Sequence, residues 1–154
     1  MNAKGDLRKA WHCAGSLFHL HEWVYAAHKS SIDAKYQFLD DQSRIQSVSC
    51  AVHFANSLGQ RYPDFQIIRG IANSSKHFIL KTPPSGRANP PGMPSHAANT
   101  YVSLESFNPG FDPGGVEVFT RRVRLQNGGS DKEFAILAQS ALDMWDELFK
   151  QEKW

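Results

Sequence analysis

The chain has 154 residues, 41% apolar and 21% charged, with a net charge of +2 when the histidines are neutral. That composition excludes wholesale disorder, a collagen-like repeat and a disulfide scaffold, and it lacks the strong basic excess of a dedicated nucleic-acid binder. The length suits one domain, residues 1–154, able to bury a single core, and the unusual feature is seven histidines against two cysteines.

Residues 6–29 read as a helix, because Leu7, Trp11, Ala14, Phe18, His21, Tyr25 and His28 recur at spacings of three and four. Asp6 suits its N-terminus. Residues 30–41 are less regular, and Ile32 to Leu39 reads as a second helix or a connector. A firmer helix is expected after Ser43, with Ile45, Val48, Ala51, Val52, Ala55 and Leu58 on one face and Gly59 as its C-cap. The next helix is expected from Pro63 to Leu80. Pro63 fits a first helical turn and Asp64 favours an N-terminus.

The composition changes at Thr82. Residues 82–99 hold Pro83, Pro84, Pro90, Pro91 and Pro94 and read as a long loop. Residues 100–126 then read as a β-hairpin insert, with strands at Tyr101–Glu105 and Val116–Leu125 around a Pro- and Gly-rich turn. Ser130 is expected to cap a last helix, with Glu133 at the capping-box position, and Phe134, Leu137, Ala138, Ala141, Leu142, Met144, Trp145, Leu148 and Phe149 give that helix a wide apolar face. The fold class expected is mainly α: an antiparallel bundle of four to five helices with a β-hairpin inserted before the last helix.

Cys13 and Cys50 lie far apart with no CxxC, so no disulfide framework is expected and a reducing compartment is the default. The N-terminal residues lack a signal-peptide pattern, and the apolar runs are too short to span a bilayer. A cytoplasmic protein with no membrane partner is the expectation.

The histidines are the first place for chemistry. His12 and His19, and likewise His21 and His28, are two helical turns apart, and His21 and His28 share an aromatic stripe with Tyr25. Metal sites on helices more often place ligands at i and i+3 or i+4, and neither HExxH nor ExxH is present, so no metal and no cofactor is expected. The second constellation is Arg69, Asn73 and His77 at i, i+4 and i+8, with Lys76 beside them. They form one polar row along an apolar helix, and such a row must be hydrogen-bonded or border a cleft. Read as function, His77 is an acid or base, with Arg69 or Lys76 holding an anion such as phosphate. Read as structure, Asn73 and His77 join the third helix to the first through His21 or His28. The candidate binding residues are therefore His21, Tyr25, His28, Asn73, Lys76 and His77. Arg121, Arg122 and Arg124 make a basic strand that reads as a solvated face.

The pairing of Trp11-His12 and His19-Leu20-His21-Glu22-Trp23 with Arg69-x3-Asn73-x2-Lys76-His77 resembles uncharacterised bacterial and mobile-element helical proteins. Their layout is similar to the HEPN superfamily, whose members include dimeric ribonucleases of toxin–antitoxin and defence systems. The resemblance covers roughly residues 1–80. It implies a homodimer and, for a nuclease, Arg69 and His77 as catalytic candidates with Asn73 as a polar partner. HEPN ribonucleases hold their Arg and His closer together and place a polar residue after the Arg, where this chain has Gly70. The expectation is a non-enzymatic binding or interaction protein with a small-molecule or protein ligand. The alternative is a HEPN-like metal-independent ribonuclease acting on RNA.

Overall fold

A computed structural model describes residues 7–76, 100–107, 118–127 and 130–154. The chain runs as α1 (Leu7–Lys35), β1 (Gln37–Leu39), β2 (Ile45–Ser47), α2 (Ala51–Arg61), α3 (Pro63–Lys76), β3 (Thr100–Phe107), β4 (Val118–Asn127), β5 (Ser130–Glu133) and α4 (Phe134–Glu152). It is mainly helical, with two small antiparallel sheets among the described residues.

α1 is longer than its periodicity suggests. It continues through residues 30–35, past a break at His28, where φ −124° and ψ 25° leave the helical region. Ile32, one turn beyond the break, is fully buried, and that burial favours continuation over a connector. The expected second helix over Ile32–Leu39 is therefore replaced by the end of α1 and strand β1.

The helix expected after Ser43 does not start there. β1 and β2 pair in register, Gln37 with Ser47 and Leu39 with Ile45. Asp40 organises the turn between them. Its Oδ1 accepts the backbone N–H groups of Gln42 at 2.9 Å and Arg44 at 3.0 Å, and Ser43 takes the left-handed conformation at φ 58°. A side chain that captures turn N–H groups competes directly with helix formation. Ile45, which the helical reading placed on an apolar face, is 69% exposed.

α2 starts only at Ala51 and clamps β1. Gln60 accepts the Leu39 N–H at 2.8 Å and donates to the Leu39 carbonyl at 2.7 Å, while Ser57 donates to the Gln37 carbonyl at 2.7 Å. The outer edge of β1 is thus bonded by helix side chains. Gly59 is not a C-cap. It lies inside α2, buried, where an added Cβ would displace the end of the Gln66 side chain of α3. The C-cap is Tyr62, whose N–H reaches the Leu58 carbonyl at 2.8 Å, and Pro63 opens α3 at once, as its missing N–H and fixed φ favour. α3 is described to Lys76, and the expected extension to Leu80 lies outside the described residues, as does the loop at 82–99.

The insert before the last helix is larger than a hairpin. β3 pairs with β4, Thr100 opposite Leu125 to Phe107 opposite Val118, and β4 pairs in turn with β5. Ser130 therefore belongs to a strand and does not cap α4. The N-cap is Glu133, in extended conformation with no side-chain capping bond. Pairing along β4, with an Arg124 Nε–Asp131 Oδ2 bond of 2.8 Å, uses residues that the capping box would have claimed.

The core gathers around α3, which packs against α1, α2 and α4. Phe65, Ile68, Ile71 and Ala72 are essentially inaccessible, as are Phe54, Leu58, Leu137, Leu148 and Leu125 of β4. Phe65 bridges Phe18 of α1 (centroids 6.1 Å) and Trp145 of α4 (6.0 Å, edge-on). The Trp145 indole N–H is satisfied by the Leu17 carbonyl at 3.2 Å. At the C-terminus, Lys153 turns left-handed and Trp154 folds back onto His28, with rings stacked at 5.0 Å. Lys35 and Tyr36 both bond Glu152, so the end of α1 is tied to the end of α4.

Trp145→Ala removes the ring at this three-helix junction. It is expected to cost about 3–5 kcal/mol, read as a lowered urea midpoint, whereas Ile136→Ala on the exposed face of the same helix is expected to stay near neutral.

Candidate functional site

The structure gives the histidines of α1 separate surroundings, with His12 and His19 beside a surface pocket also lined by Trp11, Leu20 and Trp23. His21 is buried, and its Nδ1 lies 2.5 Å from the Phe18 carbonyl one turn back. Burial holds its pKa below the ordinary value, outweighing the opposing effects of that carbonyl and of Glu22. His28 stacks on Trp154, and the Tyr25 hydroxyl donates to Asp33 Oδ1 at 2.8 Å. His19 pairs with Glu22 at 3.2 Å. Among the described residues, no three His, Cys, Asp or Glu side chains are placed to hold a metal.

The polar row of α3 is only partly drawn together. Arg69 and Asn73 are both half-buried. The side chain of Lys76 and all of His77 lie outside the described residues. The expected link of Asn73 and His77 to His21 or His28 includes His77 and so lies partly outside the described residues. Arg69 Nη1 donates to Asn56 Oδ1 of α2 at 2.7 Å, and the guanidinium lies 5.9 Å from the centre of the Phe18 ring of α1. Its charge also acts on His21.

Arg69 and Asn56 open into a cleft of about 980 Å³ between the β1–β2 hairpin and the α2–α3 pair. Its inner wall carries His53, Asn56 and Gln60 from α2 with Gln66 and Arg69 from α3, and its apolar patch is Phe38, Leu39 and Val52. The hairpin turn, with Asp40, Asp41 and Arg44, forms the rim. The His53 ring packs on Phe38 (4.6 Å), and its Nδ1 lies 3.1 Å from the Ser49 hydroxyl. When Ser49 donates to Nδ1, the ring proton sits on Nε2.

Electrostatically the cleft has two unlike sides. At the rim, the backbone N–H and guanidinium of Arg44, then the Gln42 N–H and the Gln46 amide, hold the Asp40 carboxyl far below the usual carboxylate range. On the inner wall, burial lowers the basicity of Arg69, and no carboxylate among the described residues acts on it. Its Nε is buried without an acceptor. A guanidinium stays charged even so, and a desolvated cation with one neutral acceptor is under-satisfied.

Sequence reasoning identified Arg69 and missed Asn56, His53, Gln60 and Gln66. One signal was present: His53, Asn56 and Gln60 fall at i, i+3 and i+7, a polar stripe opposite the apolar face of α2.

Two pH effects follow, with opposite locations. Asp40 titrates in the folded chain below its ordinary 3.8, so its hold on the turn is complete above that value and is lost as the pH falls below it. Cross-strand NOEs between Leu39 and Ile45 should fade in that acid range, and in Asp40→Asn they should be weak at every pH. His21 also has a lowered folded pKa. Its contribution is therefore full above the ordinary 6.5 and declines as the pH falls below it. The urea midpoint should drop from pH 7.5 to pH 5, and less steeply in His21→Leu. No family model, curated protein or solved structure matches the chain.

Proposed function

We propose that the protein is a non-enzymatic binding protein that takes a small-molecule ligand in the cleft between the β1–β2 hairpin and the α2–α3 pair. The observation that carries this reading is the inner wall. Arg69, Asn56, His53 and Gln66 present polar groups from two well-packed helices, beside an apolar patch of Phe38, Leu39 and Val52. Concave surfaces that mix an apolar patch with a few placed polar groups are the usual form of a ligand site. The bracing of β1 by Gln60 and Ser57 supports a wall already set before a ligand arrives. The wider reading is a cytoplasmic antiparallel bundle of four to five helices, encoded on a mobile element and acting as a homodimer. Trp23, 75% exposed on α1, supports the dimer, because with Trp11 and Leu20 it lines an apolar surface pocket that a second copy would cover.

The ribonuclease reading has one observation in its favour: Arg69, the residue the HEPN resemblance would use on phosphate, lines an open cleft. In that reading His77 would move the proton at the 2′-hydroxyl or leaving oxygen while Arg69 stabilises the phosphate charge.

Native mass spectrometry of gently purified protein should show a bound small molecule. Val52→Trp, which fills the cleft from an exposed position, should exclude it. An unliganded wild type, or a ligand retained by Val52→Trp, overturns the cleft reading. Mixed RNA incubated with the protein and a chelator should stay intact, and cleavage abolished by His77→Ala would replace the binding reading with the nuclease. Sedimentation velocity should give a dimer that Trp23→Ser weakens.

A further inference from the structure

We infer that the ligand presents an oxyanion, a phosphate or carboxylate group, to Arg69 at the floor of the cleft. The inference rests on the cleft being the ligand site and names the chemistry it selects. Arg69 is a half-buried cation whose hydrogen-bond partner is the neutral carbonyl oxygen of Asn56. Its Nε is fully buried without an acceptor, and no carboxylate among the described residues acts on it. A guanidinium partly withdrawn from water with no opposite charge beside it gains from an anion that enters the cleft. The Phe18 ring lies 5.9 Å from the guanidinium, and Arg69 lines the cleft, so a ligand there would meet its Nη groups, the donors by which arginine binds oxyanions.

The neighbours have the matching polarity. Asn56 has its oxygen engaged by Arg69, and its amide N–H groups remain as donors. His53, whose Nδ1 lies 3.1 Å from the Ser49 hydroxyl, offers an Nε2 donor on the same wall in the tautomer in which Ser49 donates. Gln66 adds a second amide. The carboxylates of the cleft sit on the opposite side, in the hairpin turn, where the charge of Asp40 is spent on Arg44, Gln42 and Gln46. Donors converge inside and acids stay at the rim, a distribution that rejects a cation and accepts an anion.

The test is a titration of the full-length protein with inorganic phosphate and, separately, with acetate, at constant ionic strength in chloride. Amide chemical shifts and calorimetry are the readouts. At least one oxyanion should give saturable shifts centred on residues 53–69, and chloride should not. Arg69→Gln should weaken binding by about tenfold or more, while Arg69→Lys keeps part of it. The tighter of the two anions tells whether the ligand carries a phosphate or a carboxylate. The inference is overturned if neither anion saturates, if Arg69→Gln binds like wild type, or if the shifted amides lie away from α2 and α3. If a neutral or cationic molecule is found in the cleft by mass spectrometry while both anions fail, the oxyanion falls and the cleft stands. Should Arg69→Gln fail to fold, the wild-type amide map decides the question alone.

Discussion

The packing of α3 against three helices is the constraint on which the rest of this structure depends. Phe65, Ile68, Ile71 and Ala72 meet α1, α2 and α4, so almost the whole circumference of the helix is taken by apolar contact. A helix surrounded in this way has little room for a charged side chain. Arg69 stands on the one sector that leads outward, the seam between α2 and α1, and its guanidinium emerges beside Asn56. Gly59 of α2 leaves space there for the Gln66 side chain of α3. On the same helix, Gln60 and Ser57 hold β1.

The hairpin is the second consequence. β1 and β2 are only three residues each, too short to stand alone in water. They persist because two independent devices hold them. The Asp40 carboxylate fixes the turn through backbone N–H groups, and the side chains of α2 bond the outer edge of β1. The cleft is the space left between this braced flap and the α2–α3 wall. Its chemistry follows from what each wall must do for the fold. The hairpin needs an acid to gather its turn, and the helix wall carries amides and a cation that the core could not absorb.

Much of the helical framework was legible in the chain itself. Pro63 and Asp64 announce the start of α3, and the aromatic stripes of α1 and α4 bury as their spacing requires. The alternation from Thr100 onward pairs as a hairpin. The errors have physical causes. Ile45, Val48, Ala51, Val52, Ala55 and Leu58 happen to keep helical spacing, yet Ile45 belongs to a strand because Asp40 captures the turn that precedes it. Ser130 and Glu133 match a capping box, yet the open edge of β4 offers them backbone partners. In both places a local pattern lost to a hydrogen bond formed with a residue that the pattern does not contain. The same holds for the site. Arg69 was conspicuous as a charge on an apolar helix, but its partner Asn56 sits on a different helix, and nothing in the spacing of α3 points to it.

The sequence by itself determined that the chain is mainly helical, where α3 and α4 carry their apolar faces and that Arg69 is a charge in an awkward place, because these depend on the chemistry of neighbours along the chain. Tertiary structure decided where that charge points. It gave Arg69 the Asn56 oxygen of α2 as its partner, with Phe18 of α1 on its other side. It also decided that His21, His19 and His28 take part in packing and local bonds, while His53, unremarkable in the linear pattern, lines the cleft.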